Sequence, residues 1–396
     1  MSETPRFQAW NIIDCGLDKN STGSHYWETE ALAHALVHRG ETVRIFSHRN
    51  APSADLCRDA AIVPTFQLSL YDVVSKDPAW SPIEHFIVHN RSFHSDLARL
   101  DPALFRGSVA LFPMIGANQL LGLFRWLSGL PPEQRPKTAI TLFEPRAWNE
   151  TNASARFFKT VWRDCAPELR QDVAIFARTP PGAALFTKQL AIPASVFPYA
   201  LPERYLAPKP DTTRTADRMI VSFVGGARRD RGSALIPEVA KRCSGMGILF
   251  RVQARGGQDG YFDTAPLTAL AGLNHVQLEH GALKRDDFYR AIGESVVLLP
   301  YRPNDYRWRD SGVYHEAKLL DAPILVTAGT WMADEVRSLG NGLVIENFSA
   351  DAVVACIAQA QRELPSLKAA AMRVGEHARQ KDGVLHCIET VASAFG

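Results

Sequence analysis

The sequence carries almost no net charge: 44 Lys and Arg stand against 42 Asp and Glu, a formal balance of +2 over 396 residues. Without a whole-molecule field, nucleic acid is excluded as a partner and any anion site has to be local. Long apolar runs are missing too. No stretch reaches the roughly 18 apolar residues that span a bilayer, and the opening MSETPRFQAW has neither the basic start nor the apolar core of an export signal. The expected location is therefore the cytoplasm. Cysteine is sparse and scattered. Cys15, Cys57, Cys165, Cys243, Cys356 and Cys387 form no C-x-x-C pair and have no His at zinc-finger spacing. They read as small buried hydrophobes in a reducing compartment, and no metal site is expected.

What is present is an ordinary globular balance, 46% apolar and 22% charged, in a chain long enough to divide its core. Single cores stop growing at roughly 250 to 300 residues, so two domains are expected. In the second half, short runs rich in Val, Ile and Leu at 219–225, 248–254, 276–280, 296–301, 323–328 and 342–346 read as strands. Helical periodicity fills the gaps at 233–243, 285–294, 312–321, 331–339 and 350–363. Alternation of this kind predicts a doubly wound parallel sheet with helices on both faces. The first half repeats the theme less cleanly, with strands expected at 7–14, 42–48, 86–90, 109–115, 138–144 and 173–178. The Pro-rich, aperiodic segment 198–218 reads as the linker. The domains are placed at 1–205 and 206–396, with the last helix allowed to pack back on the N-terminal domain.

Ligands of parallel sheets bind beyond the carboxyl ends of the strands, where a loop enters the next helix and free N–H groups face an anion. Three junctions fit. In VGGARRDRGSAL, 224–235, Gly225 and Gly226 allow close backbone approach, while Arg228, Arg229 and Arg231 crowd one loop. Cations near a helix start oppose its dipole unless an anion joins them, so Arg228 and Arg231 are candidate diphosphate ligands with Gly226. In RWRDSGVYHEAKLL, Ser311 and Gly312 open a helix and offer amides, and Glu316 stands close enough to the helix start to reach a sugar's hydroxyls. An exposed salt-bridged face would instead need a cation three or four positions on, where Leu319 and Leu320 stand. The third junction, after the first strand, carries Thr22, Gly23 and Ser24. Among His85, His89 and His94, His89 falls near the end of the expected strand at 86–90 and is the candidate catalytic histidine.

In this order the junctions resemble those of the retaining GT-B glycosyltransferases, especially glycosyltransferase family 4. Gly225 and Arg231-Gly232 resemble the family's basic donor-diphosphate motif, with the first cation displaced to Arg228. The segment 275–301 resembles the stretch that begins at the base-binding loop, which implies that His280, Gly281 and Leu283 lie near a nucleobase. SGVYHEAKLLDAPILVTAGT resembles the family's E-x7-E helix and following strand, with Glu316 as the ribose-binding glutamate. The first glutamate is replaced by Trp308. Its contact to the donor sugar is lost or passes to Asp305, Arg309 or Asp310.

The resemblance implies two Rossmann-like domains facing a central cleft. The implied reaction is metal-independent transfer from a nucleotide-diphosphate sugar to an acceptor hydroxyl, with retention of configuration. No cofactor is implied beyond the sugar-nucleotide co-substrate, and the absence of Asp-x-Asp agrees. Arg228 and Arg231 would hold the diphosphate, Ser311 and Gly312 add amides, and Glu316, His280 and Leu283 bind the nucleoside. Gly23, Ser24 and Asp310 are candidates for donor sugar or acceptor, and His89 for steering either. The acceptor is left open among glycans, lipid-linked glycans and small molecules. The apolar faces of 25–39 and of RWLSGL at 125–130 are assigned to the core, with peripheral membrane contact as the alternative. Two rival readings stand: a GT-B-fold sugar-nucleotide epimerase, and a non-catalytic glycosyltransferase-like binding protein. A Rossmann dehydrogenase ranks below both, because no G-x-G-x-x-G follows 7–14 or 219–225.

Overall fold

The computed structural model describes residues 7–18, 24–51, 57–70, 72, 81–143, 153–202, 218–255, 264–381 and 383–396. It divides into two compact units, Met1–Glu203 with Asp382–Gly396, and Arg204–Lys381. Most of the segment read as a linker, 203–217, and the glycine loop at 19–23 lie outside the described residues.

The first unit opens with β1 (Trp10–Asp14), α1 (Ser24–His38), β2 (Val43–His48), β3 (Ala61–Phe66) and α2 (Ser81–Leu97). It continues through β4 (Val109–Ile115), α3 (Ala117–Gly129), β5 (Lys137–Leu142), α4 (Ala153–Asp164), α5 (Pro167–Arg170), β6 (Val173–Ala177), α6 (Pro180–Gln189) and β7 (Ala194–Val196). The strands form one parallel sheet in the order β3-β2-β1-β4-β5-β6-β7. The chain's last helix, counted below as α14 (Val384–Ser393), belongs to this unit: Val384, Cys387, Ile388 and Val391 join Trp10, Ile12, Leu32 and Leu36 in one core.

The second unit runs β8 (Met219–Phe223), α7 (Ile236–Arg242), β9 (Ile248–Ala254), β10 (Val276–His280), α8 (Arg285–Gly293), β11 (Val296–Leu299) and α9 (Pro303–Tyr306). It closes with α10 (Gly312–Leu319), β12 (Ile324–Thr327), α11 (Trp331–Leu339), β13 (Gly342–Ile345), α12 (Ala350–Arg362) and α13 (Leu364–Lys381). Its parallel sheet has the order β10-β9-β8-β11-β12-β13. Both sheets are thus doubly wound. The strand order reverses between β1 and β4 in one and between β8 and β11 in the other, and a crevice opens beyond the carboxyl ends at such a point. Central strands are buried along their whole length because helices cover both faces: β1, β11 and β12 are buried at every residue.

One expected strand is wrong. FIVHN at 86–90 lies inside α2, and the third strand of the sheet is AIVPTF at 61–66. Burial in this helix follows its turns: His89, Asn90, Phe93, Asp96 and Leu97 are buried, whereas Ile87 and Val88 face outward at 54% and 41% exposure. A short apolar run does not distinguish strand from buried helix; packing on α3 decides it. The Asn90 side chain accepts from the Gly122 amide at 2.9 Å and donates to the carbonyls of Phe86 and Ala117. A Cβ on Gly122 would stand 2.4 Å from the Asn90 carbonyl oxygen, so glycine permits this approach. The real third strand was hidden by Pro64, which its place at the sheet edge tolerates.

The six cysteines are all buried and unpaired with one another, and burial pushes the thiols of Cys243 and Cys356 up to about 11 and about 12. Among the described residues no helix is long and apolar enough to cross a membrane. In 25–39 and 125–130, Leu32, Leu36, Trp126, Leu127 and Leu130 are buried in the first unit, and Trp27, Ala35 and Val37 are partly buried against its core.

Candidate anion site in the second unit

The Gly225 loop leaves β8 at the switch point beside β11. Gly225 adopts φ +95°, and a Cβ there would stand 2.8 Å from Arg231 Nη1 and 3.2 Å from Val313 Cγ2. The missing side chain is therefore what lets the Arg231 guanidinium and the first turn of α10 share one place. The Gly225 amide donates to Gln253 Oε1 at 2.8 Å, and Gln253 Nε2 donates to the Gly281 carbonyl at 2.9 Å. One buried carboxamide thereby ties the loop after β8 to the loop after β10. A parallel bridge between Gly226 and Arg255 carries the β8–β9 pairing past the strand ends, which sets a third basic residue beside the glycines.

After Gly226 the chain makes a short 3-10 turn over Arg229–Arg231 and reverses at Gly232, φ +80°. A Cβ on Gly232 would lie 2.2 Å from the Pro300 carbonyl oxygen, so this basic loop sits directly on the end of β11. Arg228 is buried: it donates to the Tyr306 hydroxyl at 2.5 Å and pairs with Asp230 at 3.1 Å. The other oxygen of Asp230 takes Arg309 at 2.9 Å. Arg231 donates from Nε to the same Tyr306 hydroxyl at 3.2 Å and lies 5.6 Å over the Tyr301 ring. Burial opposes its charge, but Tyr301, Tyr306 and Asp230 outweigh burial and hold it above the ordinary arginine range. Arg255 is pushed the other way, by burial first and then by the Arg231 cation. Like charges placed together in partial burial are costly unless an anion joins them.

Ser311 caps α10, its Oγ accepting from the Tyr314 amide. The Ser311 amide, expected to face a phosphate, instead donates to Asp310 Oδ1 at 2.7 Å, and His315 Nε2 lies 2.8 Å from the same oxygen. The helix-start amides that follow belong to Gly312 and Val313. The loop before them is held by Trp331, whose indole N–H donates to the Arg309 carbonyl at 2.8 Å. Glu316 is buried within α10, so it is no part of an exposed salt-bridged face; Lys318, also buried, pairs with Glu335 at 3.1 Å. His280 is exposed at the end of β10 and Leu283 is half-buried in the following loop.

Gly23 lies outside the described residues, and Ser24 is the first residue of α1. His89 stands mid-helix rather than at a strand end, so the reasoning that singled it out does not hold. Its Nε2 lies 3.0 Å from the Asp72 carbonyl, and burial pushes the imidazole down from its ordinary value. His89 lies among Cys15, Phe66, Phe93, Asp96 and Gln119 near the carboxyl ends of β1 and β3, where the gap between these side chains has no room for a water molecule.

Arg255, Gln253, Tyr301, Tyr306 and the Asp230–Arg309 pair escaped the sequence reading. Only Arg255 had a signal there, as a cation directly after a strand run.

No family model and no curated protein matches the sequence. Solved structures do match the fold. A sucrose-phosphate synthase from Thermosynechococcus elongatus superposes with a TM-score of 0.66 at 16% identity, over 98% of this chain and 96% of that one. WaaG, a glycosyltransferase involved in lipopolysaccharide biosynthesis, gives 0.61 at 15% identity, over 98% and 100%. HepE from Anabaena, solved in complex with UDP, gives 0.65 at 11%, over 97% and 98%. The likeness is one of fold: this chain has two parallel-sheet α/β units and superposes on these structures over nearly its whole length.

Proposed function

We propose that this chain is a glycosyltransferase that moves a sugar from a nucleoside diphosphate sugar to an acceptor hydroxyl, with the donor held in the second unit. The observation that carries the reading is the position of Arg231. Its guanidinium lies against Gly225 and the first turn of α10, at the strand-order reversal, with Arg255 adding to the local positive charge. Guanidinium groups and helix-start amides are the donors that stabilise a diphosphate. A leaving diphosphate gains charge as the glycosidic bond breaks, so preorganised cations act where charge develops and a metal ion is not required for that task.

Arg231 and Arg255 are the cations offered to the diphosphate in this reading, and Arg228 supports them from the buried side. Glu316 orients the ribose, the loop of His280 and Leu283 borders the base, and Asp310 takes the donor sugar in place of the glutamate that Trp308 replaces. The first unit supplies the acceptor side, with Gly23, Ser24 and His89 as its candidates, and transfer proceeds with retention. That HepE was crystallised with UDP makes uridine nucleotides the first to try. The replacement at Trp308 favours one second reading, a donor-binding protein that does not turn over.

Thermal unfolding against a panel of nucleoside diphosphates and their sugars tests the proposal, followed by transfer assays with the sugar nucleotide that binds. A ligand at a hundred times its Kd stabilises by about 2.7 kcal/mol. The expected result is a shift with one nucleotide family, diminished in Arg231→Gln. No shift with any member sinks the reading, and binding without hydrolysis or transfer selects the second one.

A further inference from the structure

Tyr306 belongs to neither of the elements that make the anion site, yet both of the loop's key arginines end on it. It closes the four-residue α9, is fully buried, and packs on Tyr301 with ring centres 4.3 Å apart and ring planes tilted by 39°. Its one hydroxyl oxygen accepts from Arg228 Nη2 at 2.5 Å and from Arg231 Nε at 3.2 Å. Two cations repel one another, and a neutral oxygen with two lone pairs can hold both at fixed angles without cancelling either charge. Arg228 is further fixed by Asp230. Arg231 is different: among the described residues its Nη1 and Nη2 make no hydrogen bond, and Nη1 lies over Gly225. A guanidinium pinned through Nε presents its two terminal nitrogens as a flat fork, the geometry that takes two oxygens of one phosphate group.

We propose that Tyr306 is the positioning residue of the diphosphate site, orienting Arg231 through its buried hydroxyl so that the Arg231 fork faces the gap between Gly225 and the start of α10. The inference rests on the donor-site reading above and adds a requirement to it: the charge of residue 231 is not sufficient without its orientation. Tyr306 itself, enclosed beneath the arginines, does not touch the anion.

Tyr306→Phe is the direct perturbation, because the ring contacts with Tyr301 and with the Arg309 guanidinium, 5.3 Å away, remain. Inorganic pyrophosphate is the probe, titrated calorimetrically at low salt into the full chain. Wild type, Tyr306→Phe, Arg231→Gln and the double variant form a cycle, and Arg231→Lys is measured beside them. The expected result is pyrophosphate binding weakened about tenfold or more in Tyr306→Phe, since hydrogen bonds to charged groups are the strong ones. Arg231→Lys, which keeps the charge but lacks the fork, should lose a similar factor. Tyr306→Phe should weaken Arg231→Gln no further, whereas general loosening of the loop would multiply the two losses.

Wild-type affinity in Tyr306→Phe or in Arg231→Lys overturns the inference, and so do independent, multiplying losses in the double variant. In each of those cases the wild type still binds pyrophosphate and the donor-site reading survives. A wild type that binds neither pyrophosphate nor any nucleoside diphosphate removes both.

Discussion

Replacing Gly225 by Ala separates the anion site from the stability of the fold, provided it is compared with Gly340→Ala. Both glycines sit at positive φ, +95° and +71°, so an L side chain strains either backbone by about 1–2 kcal/mol. Each variant should therefore melt lower by roughly 2–8 °C, at about 2–4 °C per kcal/mol for a unit of this size. Their surroundings differ. A Cβ at Gly340 meets nothing within 4 Å, whereas at Gly225 it stands 2.8 Å from Arg231 Nη1. Because that atom is the free end of a flexible side chain, it can retreat. Reaching an ordinary contact of 3.4 Å takes about 0.6 Å, and the guanidinium moves toward the space assigned to phosphate. Pyrophosphate affinity should fall about tenfold in Gly225→Ala, the loss of one charge-assisted hydrogen bond, and stay at the wild-type value in Gly340→Ala. Circular-dichroism melting and calorimetric titration of the three proteins are sufficient. Equal affinity in all three would refute the placement of an anion between Gly225 and α10, whatever the melting temperatures do.

Other outcomes follow from the same network. Asp230→Asn leaves Arg228 and Arg309 buried without their shared carboxylate, and urea unfolding should show a loss of about 3–5 kcal/mol, as breaking one partner of a buried pair does. Glu316→Gln should weaken nucleoside diphosphate binding and leave pyrophosphate binding unchanged; equal losses for both probes would move Glu316 from the ribose to the diphosphate. His89 has its folded-state pKa lowered by burial from the ordinary 6.5. The unfolded chain therefore binds the proton more readily, and this contribution to stability is present above pH 6.5 and lost as the pH falls through the lower folded value. Urea midpoints of the wild type should decline on acidification through that window, and those of His89→Gln should decline less. An identical pH dependence in the two proteins would contradict the lowering of the imidazole by burial.

How much of this was legible beforehand depends on whether a residue acts through its chain neighbours or through the fold. The second sheet was readable nearly to the residue because its inner strands β11 and β12 are buried at every position: VVLL at 296–299 and ILVT at 324–327 admit little else at that length. The first sheet misled where that link between pattern and burial breaks. AIVPTF is an edge strand that tolerates a proline, and FIVHN is a helical segment in which Ile87 and Val88 face outward and Phe86 is only half-buried. At the site the same distinction holds. The glycines and arginines of 225–232 were visible because their chemistry is local: positive φ, a tight turn, cations after a strand. Tyr306 and Gln253 were not, because neither has a pattern of its own. Each matters through atoms distant in sequence, Tyr306 through arginines 78 and 75 positions away and Gln253 through glycines 28 positions to either side. The arginine loop could be read as a diphosphate motif from its composition, but composition ranks Arg228 and Arg231 equally. Only the tertiary contacts separate them, committing the first to Asp230 and Tyr306 and leaving the second with two nitrogens to offer.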